Sequence, residues 1–417
     1  MSSFANGNSP LPSQPVHFSD TGQMDAFDRL RVSIPTSYFS SVLQYHKNSH
    51  LWKEKITGSA TSVLMDYEPS VLMSCPAIGD EVIRQTLYWP YQAGNSQYIL
   101  ITSLLHSGIG GESEASYGDD ENGVRIIRKV DGEVYIELLS KVSGVVVPRT
   151  FRQNEWNCDT FSSTGINPSR VKLDLSQTQI FWIDLEFLAV GRLRCGFVFD
   201  GRLYVAHDFK NDNKYPSPYM STASLPVRYR VKNVSSASPI VMKAICATVK
   251  SEGGSEIFGY PQVATFGPID VASGARIPAL SIRPAELYQG RPNRGIIIPI
   301  SFSLFVTGNV PVQWELIHGG ALTGATYANT PMGGTEIPSL TVYDTAATAI
   351  DGGHRHDQDW ASSDVKGSVT TNDAELRTPI YLSNGILTTD FDNYSVVVGG
   401  VGGTATVRGK LRFAEVY

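Results

Sequence analysis

Apolar and polar residues alternate with a period of two in the patterned stretches of this chain, the spacing of strands with one buried face. SQYILITSLL (96–105) is a β-branched and aromatic run of strand length. The runs Val124-Arg125-Ile126-Ile127-Arg128 and Glu133-Val134-Tyr135-Ile136-Glu137-Leu138-Leu139 flank Asp131-Gly132, a pairing that marks a tight hairpin. FVFDGRLYVAHDF repeats the device with Asp200-Gly201, and VMKAICATV (241–249) reads as a buried strand. After the turn-rich KSEGGSE (250–256) the alternation resumes in RGIIIPISFSLFVTG (294–308), PVQWELIHGG (311–320), NYSVVVGG (393–400) and TATVRGKLRFAEVY (404–417). GGVGGT (399–404) lacks the Lys-Ser/Thr of a phosphate loop and any helix signal after it, so it reads as a glycine hairpin joining the last two strands. Helix signatures are scarce, and no heptad run or 20–50-residue repeat stands out. The expected fold class is all-β: two β-sandwich, jelly-roll-like domains at 34–254 and 255–417, preceded by an extended N-terminal arm at 1–33.

Composition agrees with turn-rich sandwiches. Charged residues make up 18%, aromatics 10%, and there are 38 glycines and 23 prolines. The net charge is −6 with no polybasic run, which argues against a nucleic acid or an anionic membrane as partner. No apolar stretch reaches the length of a membrane span, and MSSFANGNSPLPSQP lacks the charged and apolar regions of a signal peptide. Cys75, Cys158, Cys195 and Cys246 have neither CxxC spacing nor a histidine at a metal-site interval, so they read as reduced, packed thiols.

The most chemically suggestive segment is QIFWIDLEFLAVGRLRCGFVFDG (179–201). On a strand, Asp184 and Glu186 share one face with Trp182, while Phe181, Ile183, Leu185 and Phe187 fill the other. Paired carboxylates on a β-sandwich face can serve glycoside hydrolysis. IDLEFL resembles the catalytic strand of laminarinase-like jelly-roll glycosidases, E-I-D-I-E-F. The resemblance makes Glu186 the acid/base and Asp184 the supporting aspartate, and puts Trp182 where the family has its nucleophile. Trp182 cannot attack an anomeric carbon, so the two acids are expected to pair with Arg192 or Arg194 instead. In DGGHRHDQDW (351–360), His354, His356 and Asp357 form a candidate metal-ligand set, since HxH on a strand presents both rings to one ion. The preceding glycines and missing strand signal favour a solvated loop. DFKNDN (208–213) and DFDN (390–393) are oxygen-rich but read as Asx-type turns rather than calcium loops. The aromatic clusters LYWPYQ (87–92) and QYHKNSHLW (44–52) suit either sugar stacking or a core or subunit interface.

DAFDRLRVS (25–33) resembles the DAFGRLRVS signature near the start of a family of tailed-bacteriophage virion structural proteins. IRQTLYWPYQAGNSQYILIT (83–102), NEWNCDTF (154–161), LDLSQTQIFWIDLEFLAVGRLRCGFVFDG (173–201), YMSTASLPVRYRVKN (219–233) and ATVKSEGG (247–254) fit the same family in order. The likeness spans roughly residues 22–254, and RGKLRFAEVY resembles the family's terminal strand; the family's glycine is Asp28 here. The resemblance implies a non-enzymatic, cofactor-free building block of a phage particle, made in the host cytoplasm and located in the virion. Its expected partners are other virion proteins and copies of itself, a homotrimer first and a hexamer second, with a host-surface glycan as a further candidate. Its position would be an external appendage: neck or collar whisker, head decoration, or tail-fibre or baseplate component. Within that frame the arm is expected to dock on a neighbouring subunit, Arg29 and Arg31 pairing with carboxylates while Phe27, Leu30 and Val32 fill a groove. The alternative is an edge strand packed on its own domain.

Overall fold

The computed structural model describes residues 34–254, 259–308, 310–329, 338–361, 382 and 392–416. The proposed docking residues Phe27, Arg29, Leu30, Arg31 and Val32 lie outside the described residues. The all-β expectation holds: the described residues form antiparallel strands, and their only helical element is the short 3₁₀ turn Gln153–Glu155.

Two large sheets make the first sandwich. One runs, edge to edge, through strands Arg202–Phe209, Leu193–Phe199, Gln179–Leu185, Ser96–Leu104, Ile240–Glu252, Val71–Cys75 and Thr61–Leu64, with Thr36–Val42 also paired to Ile240–Glu252. The other runs through Val147–Arg152, Val134–Ser140, Gly123–Arg128, Gly111–Gly118, Val227–Asn233, Glu81–Thr86 and Trp52–Thr57. Alternate residues of both sheets meet in one core, with Phe181, Ile183 and Leu185 from the first and Ala115, Tyr117 and Ile126 from the second. Trp156, Phe161 and Phe197 extend that core with ring contacts 5.7 to 6.4 Å apart. Both Asp-Gly hairpins form. Asp200 and Gly201 both adopt positive φ, +49° and +73°, as a two-residue turn that follows the strand twist requires.

The second sandwich packs the sheet Tyr260–Val271, Ala405–Val416, Ile296–Thr307 on the sheet Ala328–Asn329, Thr341–Asp344, Arg276–Pro284, Tyr394–Gly400, Val312–His318, His354–Ala361. Phe302, Leu411 and Phe413 meet Trp314, Leu316 and Val396 in a second core, distinct from the first. Described strands up to Glu252 join only the first pair of sheets; those from Tyr260 onward join the second pair or the two small ribbons Leu287–Tyr288 with Arg291–Pro292 and Ala321–Thr323 with Ala349–Asp351.

Two local expectations need correction. The glycine stretch at 399–404 is not a hairpin: Tyr394–Gly400 pairs with Arg276–Pro284 and Val312–His318, whereas Ala405–Val416 lies in the opposing sheet. The glycines carry the chain from one layer to the other. The HRHDQDW segment is not a loop but an edge strand, His354–Ala361, paired with Val312–His318. Most of its side chains are solvated, which erases the alternation that marks a strand. The cysteines form no disulfide; Cys195 is buried and Cys246 only half-buried.

His106 and His207 are buried in the first sandwich. Burial pushes both down to about 4, and Arg128 adds to this at His106. A histidine in the unfolded chain titrates near about 6.5, so on acidification the unfolded state takes up protons first. Their contribution is therefore full above about pH 6.5 and is lost as pH falls towards about 4. Unfolding midpoints in urea should fall across that window. The double variant His106→Gln/His207→Gln should show a shallower fall, and an unchanged slope would remove these residues as the cause.

Candidate functional site

The Gln179–Leu185 strand carries Asp184 and Trp182. Register sets Asp184 directly opposite Arg194, and the side chains meet at 2.9 Å with both fully buried. Ser96 Oγ donates to the second carboxylate oxygen of Asp184 at 2.5 Å. Arg192 pairs instead with Asp208, at 2.8 Å. Trp182 stands opposite Gly196, and its indole N–H is shared between the Phe197 and Tyr204 carbonyls, each at 3.2 Å. A Cβ on Gly196 would lie 1.9 Å from the Tyr204 oxygen, so only glycine fits this strand crossing. Trp182 is thus a structural element where the resembled glycosidases carry a nucleophile, and Asp184 is engaged by Arg194 and Ser96.

The aromatic clusters are largely core. Tyr88, Trp89 and Trp52 are buried, with the two indole N–H groups donating to Thr86 and Ser41. Tyr45 is exposed.

A more open site lies at the seam between the sandwiches. A cleft of about 600 Å³ is lined by Ser49, His50 and Lys53 from the first sandwich and by Arg283, His318, Tyr327, Asp392 and Asn393 from the second. Lys53 bridges the seam to Asp392 at 2.6 Å. Elsewhere along the seam Arg294 reaches Asp119 at 2.8 Å and Glu121 at 2.7 Å. The Arg283 guanidinium lies over the Tyr327 ring, 4.1 Å from its centre.

Four imidazoles gather beside this cleft. His318 ends its strand opposite His354 on one side and Tyr394 on the other. His50 comes from the turn before Trp52–Thr57, where Asn48 accepts from the Leu51 and Trp52 N–H groups. The ring centres form a closed circuit: His50 to His354 5.1 Å, His354 to His356 5.2 Å, His356 to His318 6.3 Å, and His318 to His50 5.8 Å. Gly353 lets the turn before His354 close on the strand end, because a Cβ there would lie 2.6 Å from Ile317 Cγ2. Burial, then Lys53 and the other rings, lowers His318 to about 3. His50 and His356 are lowered by burial and then by His354. His318 Nε2 and the Tyr394 hydroxyl are buried without a hydrogen-bond partner among the described residues.

Of the metal-ligand set expected from sequence, His354 and His356 come together. The third member, Asp357, stands opposite Leu316, and its carboxylate accepts from the Gln358 N–H at 2.8 Å. Among the described residues no group of three or more His, Cys, Asp or Glu side chains is already posed to hold a metal ion. Sequence reasoning missed His318 and Lys53, and touched His50 and Asp392 only as parts of the segments QYHKNSHLW (44–52) and DFDN (390–393). They sit in no common motif and meet only through the packing of the two sandwiches. Among the described residues no helix is long and apolar enough to cross a membrane.

No family model and no curated protein matches the chain. Solved structures do resemble it. An apo Crh5 transglycosylase is 12% identical, with a TM-score of 0.36 and coverage of 56% of this chain and 91% of that one. A Bacillus licheniformis β-glucanase is 10% identical, with a TM-score of 0.33 and coverage of 51% and 97%. A carbohydrate esterase from the Shiga toxin-encoding bacteriophage phi24B is 10% identical, with a TM-score of 0.32 and coverage of 53% and 100%. At these identities the likeness concerns the β-sandwich fold alone. It does correct one expectation, that the chain is not an enzyme. Among the solved structures it resembles, several are named as glycosidases or transglycosylases and one as a lectin, so the expectation of a non-enzyme does not stand.

Proposed function

We propose that this chain is a virion module of a tailed phage that binds carbohydrate at the host surface. The observation that carries the carbohydrate reading is the seam cleft. It is concave, its walls combine hydroxyl, imidazole, amide and charged groups, and Tyr327 presents a ring backed by Arg283. Hydrogen-bonding groups of both kinds around an aromatic face are what a sugar ring needs. The virion reading is supported by the ordered motifs between residues 25 and 254. Several of their residues, among them Trp89, Trp156, Trp182, Asp184 and Arg194, are buried scaffold of the first sandwich. The proposed assembly is an external appendage, trimeric first and hexameric second, at the neck, head surface, tail fibre or baseplate.

Purified full-length chain on an array of bacterial surface glycans should bind a subset of them. Tyr327→Ala should weaken that binding at least tenfold without lowering thermal stability. Absence of binding both on the array and to intact host cells would rule out the carbohydrate role. Mass spectrometry of purified particles tests the rest, since a virion module must be present at several copies.

A further inference from the structure

We propose that His50, His318, His354 and His356 together bind one transition-metal ion of the Zn²⁺ or Ni²⁺ type, clipping the two sandwiches across their seam. The inference does not depend on the carbohydrate reading.

Ring spacing is the first argument. An imidazole nitrogen sits about 2.1 Å from zinc, and the ring centre lies roughly another ångström beyond it, so rings on one tetrahedral ion are about 5 Å apart, centre to centre. Two sides of the circuit, 5.1 and 5.2 Å, already match. The other two sides, 5.8 and 6.3 Å, must close by roughly an ångström, and the diagonals from His50 to His356 and from His354 to His318 must close with them, because all six ring pairs are equally spaced on a tetrahedral ion. The circuit can contract: His50 lies on a turn and His354 is exposed on an edge strand, so neither ring is locked by core packing.

Unmet polarity is the second argument. His318 Nε2 is buried at the strand end without a hydrogen-bond partner among the described residues, and so is the neighbouring Tyr394 hydroxyl. A buried donor or acceptor left unsatisfied costs free energy, and a metal–nitrogen bond at His318 would remove that cost. Ligand type is the third. A set built from imidazoles suits zinc, nickel or copper rather than calcium or magnesium, which demand oxygen. The donor set therefore differs from the one the sequence suggests, because Asp357 caps the Gln358 N–H while His50 and His318 complete the ring. Three ligands come from adjacent strands of the second sandwich and one from the first.

The test is isothermal titration of tag-free, chelator-stripped full-length chain with ZnCl₂ and, separately, NiCl₂. Saturation at one ion per chain is expected, with a rise in unfolding temperature on loading. His50→Ala, an exposed turn position, should lower affinity at least tenfold while leaving the unfolding of the metal-free chain unchanged. His318→Gln should do the same, and His46→Ala, on the same loop, should have no effect. Two results would overturn the proposal: no saturable binding, or binding that survives His50→Ala intact. The second would reduce the site to a surface pair formed by His354 and His356.

Discussion

Replacing Asp184 with alanine is expected to lower the unfolding free energy of the first sandwich by about 3–5 kcal/mol, the usual cost of removing one partner of a buried ion pair. The magnitude follows from burial. The Arg194 and Asp184 side chains are 1% and 0% exposed, and the carboxylate also accepts from Ser96. Alanine strips the guanidinium of that carboxylate and leaves water no easy way in to replace it. The double variant Asp184→Leu/Arg194→Met should recover much of the loss, since it removes both desolvated charges and keeps comparable volume. Urea unfolding monitored by tryptophan fluorescence reads the change, with Trp182 beside the pair as a local reporter. A single-variant loss below about 1 kcal/mol would show that the pair contributes no more than an exposed one does.

The second large effect belongs to Arg294. It is largely buried at the seam, where burial alone would depress its guanidinium, but Asp119 and Glu121 outweigh that and raise it. Arg294→Ala should therefore separate the unfolding of the two sandwiches, turning one calorimetric transition into two. The expected loss is about 2–4 kcal/mol of coupling, in the range measured when one partner of a buried, hydrogen-bonded charge pair across an interface is truncated. Lys53→Ala, which removes the other described ion pair at the seam, should act in the same direction but more weakly, since its side chain is more exposed than that of Arg294. An unchanged single transition in the Arg294 variant would mean that apolar contact, not charge, holds the sandwiches together.

What could be read from the chain was local. The two Asp-Gly hairpins, the strand runs and the pairing of Asp184 with an arginine on the next strand all follow from residues close in sequence. What could not be read depends on partners far along the chain. The layer change at 399–404 looks locally like any glycine turn, and only the partners of the flanking strands show that it switches sheets. His354–Ala361 escapes detection because an edge strand with solvated side chains carries no alternation. The seam cluster is the extreme case. His50 and His318 are separated by most of the first domain and the opening part of the second, so no spacing rule joins them. The Asp184 strand shows the complementary hazard: IDLEFL resembles a catalytic strand, while Trp182, in the nucleophile's place, packs opposite Gly196 of the next strand.

The strand Ile240–Glu252 pairs with Thr36–Val42, Ser96–Leu104 and Val71–Cys75, yet it is the last strand of its sandwich to be made. Ala405–Val416 holds the same place in the second, pairing with Tyr260–Val271 on one side and Ile296–Thr307 on the other. Each sandwich is therefore keyed by its final strand. During synthesis the first cannot close its larger sheet until residue 252 has left the ribosome, and until then its apolar strands wait with open edges. Chain growth, rather than local propensity, should set when each half becomes resistant to protease.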